Sequence, residues 1–376
     1  MAKTAFTCDQ IFDGHAMHGN AAILVEDGVC LGVVQQDAVP AGVSVEAVAA
    51  WCLSPGFVDL QVNGGGGAQF NDQVNVDGIA TICAGHARYG TTSVMVTLIT
   101  DTADCSRRAV EAAIAAQAAN VPGFLGLHLE GPHLSLAKKG AHSADLVRPM
   151  TVADLDFLIE AKSKLNHLMM TLAPESVTEA QVRALSGAGV RISLGHSACD
   201  AETAKRYTEA GACMVTHLFN AMSPLDHRTP GLAAAALLDA RLMTGIIPDG
   251  IHVHPDMMRI ALRAMGGPRM FAVTDAMATI GTDMTSFELN GRQILRENGR
   301  LTLADGTLAG ADIDMAACVK NLHELVGLPL EDALAMATSI PALALGVDDV
   351  GRLTQGSRAD IVAIDQQFGV RVLPVA

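Results

Sequence analysis

Between Pro55 and Asp275 the chain repeats one alternation: a short apolar run of strand length, then a longer Ala-rich stretch with apolar residues at helical spacing. The runs fall at 57–61, 93–98, 124–130, 167–172, 190–195, 213–217, 242–248 and 271–274. Near-continuous apolar runs suit strands buried on both faces, and strands separated by helices pair in parallel through right-handed crossovers. Eight such units predict an α/β fold of the (β/α)8, TIM-like barrel class, with a doubly wound open sheet as the alternative topology.

The flanks have a different texture. Ala21–Val25 and Val29–Val34 are apolar runs joined through Asp27-Gly28, a hairpin signal. Beyond Asp275 the pattern predicts a hairpin between Ile294 and Leu303, helices near 312–326 and 329–337, and a return to strand character from Gly351 to Ile364. The predicted organisation is a barrel over 53–346 beside a small β-sandwich domain built from both chain termini, 1–52 and 347–376.

Polar side chains gather at the carboxyl ends of the runs, where a barrel of this kind builds its site. The first run passes into Gln61-Val62-Asn63, and the third, fifth and sixth end at Glu130, His196 and His217. The seventh leads to Asp249-Gly250-Ile251-His252, and the eighth ends at Asp275. An unpaired carboxylate at the end of a buried strand is costly, so Glu130 needs a cation, a hydrogen-bond donor or a metal. Two imidazoles and a carboxylate at one mouth form a donor set that suits zinc or a similar divalent ion and leaves one position open for water. Taken singly, a strand-end histidine reads as a hydrogen-bonded core residue; two of them beside Glu130 and Asp275 favour the metal.

Composition narrows the function classes. A net charge of −15 repels phosphate backbones and anionic membranes, so no nucleic-acid or membrane partner is expected. Half the residues are hydrophobic and only 17% charged, which suits a sizeable α/β core. The eight cysteines lack Cys-x-x-Cys spacing and read as free thiols of a reducing compartment. No stretch has signal-peptide character and none reaches the roughly 18 apolar residues of a membrane span, so the expected location is cytoplasmic.

Several segments then carry a resemblance. Pro55-Gly-Phe-Val-Asp-Leu-Gln-Val-Asn-Gly-Gly-Gly-Gly, His128-Leu-Glu-Gly-Pro-His, Lys139-Gly-Ala-His142, Leu194-Gly-His-Ser, Thr216-His-Leu-Phe-Asn-Ala-Met, Asp249-Gly-Ile-His252-Val and Val273-Thr-Asp-Ala resemble the N-acetylglucosamine-6-phosphate deacetylases of the amidohydrolase superfamily. The resemblance implies that Glu130, His196 and His217 hold the catalytic divalent metal and that Asp275 serves as general base and acid. It implies that His142 hydrogen-bonds the amide carbonyl, that Asn220 and Ala221 contact substrate, and that Arg228 and His252 grip the sugar phosphate, reaching it from the neighbouring subunit of a homodimer. The implied reaction is hydrolysis of N-acetyl-D-glucosamine 6-phosphate to D-glucosamine 6-phosphate and acetate. Other superfamily members begin the barrel with His-x-His; here those positions are Gln61 and Asn63, whose amides are poor zinc ligands. One divalent ion per subunit is therefore expected, zinc foremost, with iron, cobalt, manganese or nickel as alternatives.

The competing readings are another amidohydrolase acting on a cyclic amide or dipeptide, and a non-catalytic scaffold. Gly64–Gly67 lacks the Lys-Ser or Lys-Thr of a P-loop and reads as a flexible loop at the site. His128 reads as a packed barrel-interior residue, His86 as part of a solvated helix face, and Phe219 as a candidate substrate contact.

Overall fold

In the computed structural model, which describes residues 3–375, eight strands pair in parallel and in sequence order: Phe57–Val62, Thr91–Ile99, Phe124–Glu130, Leu168–Leu172, Arg191–Leu194, Met214–Val215, Met243–Ile246 and Met270–Ala272. The first and eighth meet just past their ends. Asp275 N donates to Gln61 O at 3.0 Å and Asn63 N to Ala276 O at 2.8 Å, and this seam closes the barrel. The barrel class follows the sequence expectation, and the open-sheet alternative drops out.

Helices follow the strands, beginning with Val76–Ala87, Ala103–Ala118, Val152–Lys164, Glu179–Gly187 and Ala201–Glu209. Their starts are set by side-chain caps that satisfy otherwise unpaired N–H groups. Asn75, Thr102 and Asp200 each accept from the first turn, and Thr151 with Asp154 and Thr178 with Gln181 form reciprocal capping boxes.

Barrels of this class usually fill their interior with branched aliphatic side chains. This one carries a polar layer instead. Thr97, His128, Thr171, Thr216 and Ser193 are joined by successive hydrogen bonds of 3.2, 2.8, 2.7 and 2.6 Å. His128 is thus an interior residue, and burial pushes its imidazole down to about 4, so it is neutral.

The termini meet in two sheets. Ile361–Ile364 pairs with both Val370–Val372 and Cys52–Pro55, and Gln10–Phe12 and Met17–Gly19 complete that sheet. Lys3–Thr7, Ala21–Glu26, Val29–Gln35 and Ser44–Ala47 form the other, and Phe6, Ile23, Leu53 and Ile361 share one apolar cluster across the two. From Gly351 to Ile364, only Ile361–Ile364 is strand.

A further antiparallel sheet, Ser286–Leu289, Arg292–Glu297, Arg300–Thr302 and Leu308–Ala311, is inserted between the eighth strand and the helix Met315–Asn321. The hairpin expected between Ile294 and Leu303 is its middle. The sheet packs Phe287, Leu289 and Ile294 on Ile99 and Met277, beside the barrel mouth.

Two expectations are corrected. His86 is fully buried rather than solvated: its Nε2 lies 2.9 Å from Gly64 O, and burial pushes it down to about 4. The glycine run is packed rather than open. Gly64-Gly65 pairs with Ala68-Gln69, and a Cβ on Gly65 would meet the His86 ring at 2.7 Å. The missing side chains let the helix Val76–Ala87 approach the first strand's exit.

All eight cysteines are free, seven of them buried. Among the described residues no helix is long and apolar enough to cross a membrane.

Candidate active site

Glu130, the last residue of the third strand, is only 2% exposed. Its Oε1 lies 3.2 Å from His196 Nε2 and 3.1 Å from His217 Nε2, and the two nitrogens are 3.1 Å apart. His196 Nδ1 lies 2.9 Å from the carbonyl of Lys138. A carbonyl only accepts, so the proton of neutral His196 sits on Nδ1 and its Nε2 presents a lone pair. Two acceptor atoms, His196 Nε2 and Glu130 Oε1, thus face each other at 3.2 Å and repel unless a proton or a cation lies between them. This donor set fits a divalent ion. Burial works against the charge on Glu130, yet the imidazoles of His196 and His217 beside it outweigh that and hold the carboxyl well below the usual range.

Glu130, His142 and His196 also offer atoms within 4.8 Å of one another. His142 stands farther off, its Nε2 4.0 Å from Glu130 Oε2. Its Nδ1 receives the backbone N–H of Thr100 at 3.4 Å and lies 2.7 Å from the Thr100 hydroxyl. A backbone N–H can only donate, so the proton of neutral His142 is on Nε2. Burial, then the neighbouring His196, pushes His142 down to about 3. It is a neutral N–H donor that lines the cavity.

Asp275 is 9% exposed, and its Oδ1 accepts from Asn63 Nδ2 at 2.7 Å and Gln61 Nε2 at 3.1 Å. Gln61 Nε2 also donates to Glu130 Oε1 at 3.1 Å, so one amide spans the two carboxylates. Gln61 and Asn63 therefore fill the ground beside Glu130 and Asp275 with neutral donors. Burial, then the charge of Glu130, pushes Asp275 up to about 6.

Several of these residues share a backbone signature. His196, His217, Ala221 and Asp275 have φ of 47°, 26°, 48° and 50°. The left-handed region costs a non-glycine residue roughly 1 kcal/mol or more, and turns at the ends of rigid strands can impose it where a side chain must face inward.

A cavity of about 240 Å³ opens over these groups. Asn220, Ala221 and His252 line it, and the inserted sheet walls it with Leu289 and residues 307–310. His252 Nδ1 is tied to Asp249 Oδ2 at 2.6 Å. Arg228 is not brought there. It is exposed on the loop after the sixth strand, where its N–H donates to Asp226 Oδ1 at 2.8 Å. Phe219 lies outside the cavity too, against Pro224, Leu225 and Val253. Sequence reasoning missed Thr100, which fixes His142, and the wall from the inserted sheet. Thr100 sits just past the second apolar run, a position that would have exposed it.

The chain matches the amidohydrolase family over residues 52–374. A protein of Shewanella sp. named N-acetylgalactosamine-6-phosphate deacetylase is 38% identical over 361 residues, covering 95% of this chain and 91% of that protein. A Haemophilus influenzae protein named N-acetylglucosamine-6-phosphate deacetylase is 34% identical over 352 residues, covering 93% and 92%. The crystal structure of N-acetylglucosamine-6-phosphate deacetylase from Pasteurella multocida superposes with a TM-score of 0.93 at 33% identity, covering 98% of this chain and 97% of that one. The chain belongs to the amidohydrolase family of metal-dependent hydrolases, among its N-acetylated amino-sugar 6-phosphate deacetylases.

Proposed function

We propose that this protein hydrolyses the acetamide of N-acetyl-D-glucosamine 6-phosphate to D-glucosamine 6-phosphate and acetate. The observation that carries the reading is the convergence of Glu130 Oε1 with the Nε2 atoms of His196 and His217 at 3.1–3.2 Å, with Asp275 joined to Glu130 through Gln61. One divalent ion per subunit, zinc foremost, would be held by Glu130, His196 and His217. When bound, such an ion supplies Lewis acidity toward the carbonyl and lowers the pKa of water.

The remaining work falls to the side chains. Asp275 takes the proton of the attacking water and returns it to the departing amine, which leaves readily only when protonated. A carboxyl raised to about 6 is better matched to that exchange near neutral pH than an ordinary aspartate. Asn63 and Gln61 hold its Oδ1. His142 Nε2–H donates to the carbonyl oxygen as negative charge develops there, an effect typically worth a few kcal/mol. Asn220 and Ala221 orient the sugar, and His252 with Arg228 takes the phosphate. Arg228 does not line its own cavity, which is the reason for assigning its contribution to the second subunit of a homodimer. The place of action would be the cytoplasm.

The Shewanella relative supports a second reading, in which the preferred sugar is the 4-epimer, N-acetyl-D-galactosamine 6-phosphate. Acetate release measured on both epimers, on unphosphorylated N-acetylglucosamine and on a cyclic amide separates the readings. Preference for the glucosamine phosphate is expected. Preference for the 4-epimer selects the second reading, and turnover of the cyclic amide alone sinks both.

A further inference from the structure

Asp59 lies in the first barrel strand, two residues before Gln61, and is fully buried. The chemistry above makes no use of it, and a buried carboxylate with no task is costly. All three of its hydrogen bonds go to residues at the seam beside Asp275. Oδ1 accepts the backbone N–H of Gln61 at 3.2 Å and that of Thr274 at 3.3 Å, and Oδ2 accepts the Thr274 hydroxyl at 2.6 Å. That hydroxyl in turn accepts the N–H of Ala276 at 3.2 Å. Both neighbours of Asp275 are thus tied through one hydroxyl to one carboxylate, and the same carboxylate holds the main chain of Gln61, whose side chain reaches Asp275 Oδ1. Asp275 itself has a φ of 50°, a conformation a free aspartate seldom keeps.

We propose that Asp59 is a positioning residue for the deacetylation reaction: with Thr274 it holds the turn 274–276 so that the Asp275 carboxyl stays against Asn63 and Gln61. This rests on the role given to Asp275 under the proposed function. A strand-interior carboxylate that only filled space would have no reason to bind both sides of the seam.

The test uses Asp59→Asn, Thr274→Val and Thr274→Ser in the full-length, metal-loaded protein. Asp59→Asn keeps the size but takes the acceptor from the Thr274 hydroxyl, which must turn and accept from the amide as well as from Ala276. Displacing a reacting group by about 1 Å costs up to about 100-fold, so kcat is expected to fall about 10- to 100-fold in Asp59→Asn and Thr274→Val. KM and bound metal per chain stay within about twofold, since no binding group is touched. Thr274→Ser, which keeps the hydroxyl, retains most of the wild-type kcat. In a crystal structure of Asp59→Asn or Thr274→Val, the Asn63–Asp275 contact lengthens beyond hydrogen-bond distance. The proposal is overturned if kcat per bound metal is unchanged, if kcat falls only in step with metal content and folded fraction, or if that contact is intact. The structural readout needs no turnover, so it judges Asp59 even if the wild-type protein releases no acetate, a result that would count against the functional reading alone.

Discussion

Replacing Asp275 by asparagine should make the metal-free protein more stable while removing most of its activity. The substitution keeps an acceptor for Asn63 and Gln61, so the side chain can hold its place. What disappears is a buried carboxyl whose proton affinity is pushed from an ordinary 3.8 up to about 6. Below pH 3.8 the folded and unfolded chains both carry the proton, and the difference costs nothing. Between 3.8 and about 6 only the folded chain carries it, so stability falls as the pH rises. Above about 6 the full penalty stands. At 1.36 kcal/mol per tenfold change in affinity, it amounts to about 3 kcal/mol at pH 8 and about half that at pH 5. Chelator-treated Asp275→Asn should therefore resist denaturant better than chelator-treated wild type by about that margin at pH 8, with a smaller gap at pH 5. In the metal-loaded protein, kcat should drop about 100- to 10,000-fold, the usual contribution of a general acid–base group, with metal retained. Equal stability of the two apo-proteins at pH 8 would refute the electrostatic argument, and undiminished turnover would refute the catalytic one.

Three further outcomes are expected. Metal analysis should find about one divalent ion per chain, and two would contradict the inference drawn from Gln61 and Asn63. Asn63→Ala removes the 2.7 Å bond that favours the charged form of Asp275, so the acidic limb of the kcat/KM profile should move to higher pH; a limb that stays put places the titration elsewhere. Arg228→Ala should raise KM for the phosphorylated sugar far more than for the unphosphorylated one. Equal effects on both would place Arg228 away from the phosphate.

The eight barrel strands were legible because each is largely buried on both faces and so writes a near-continuous apolar run. Even Met214–Val215, only two residues long in the ladder, stands inside such a run. The strand-end residues Glu130, His196, His217 and Asp275 were legible for a related reason: a charged or imidazole side chain where a core strand stops has few bland explanations. What the chain hid depends on long-range approach. His86 shows ordinary helical spacing, and only the bare backbone of Gly64 and Gly65 reveals that its helix presses on the barrel. Asp59 sits within an apolar run and reads as an irregularity until Thr274 is seen across the seam. The inserted sheet was visible only as its central hairpin, because its outer strands are only four residues each.

The strand Ile361–Ile364 lies between Val370–Val372 and Cys52–Pro55. Its older partner leaves the ribosome nearly a whole chain earlier, and long-range pairing of that kind is slow to form. This sheet therefore waits, with the Cys52–Pro55 edge open, until synthesis is almost finished. A premature stop in the 350s would spare every residue that lines the cavity over Glu130. It would still leave that edge bare just ahead of the strand bearing Asp59 and Gln61, inviting adventitious pairing with another chain.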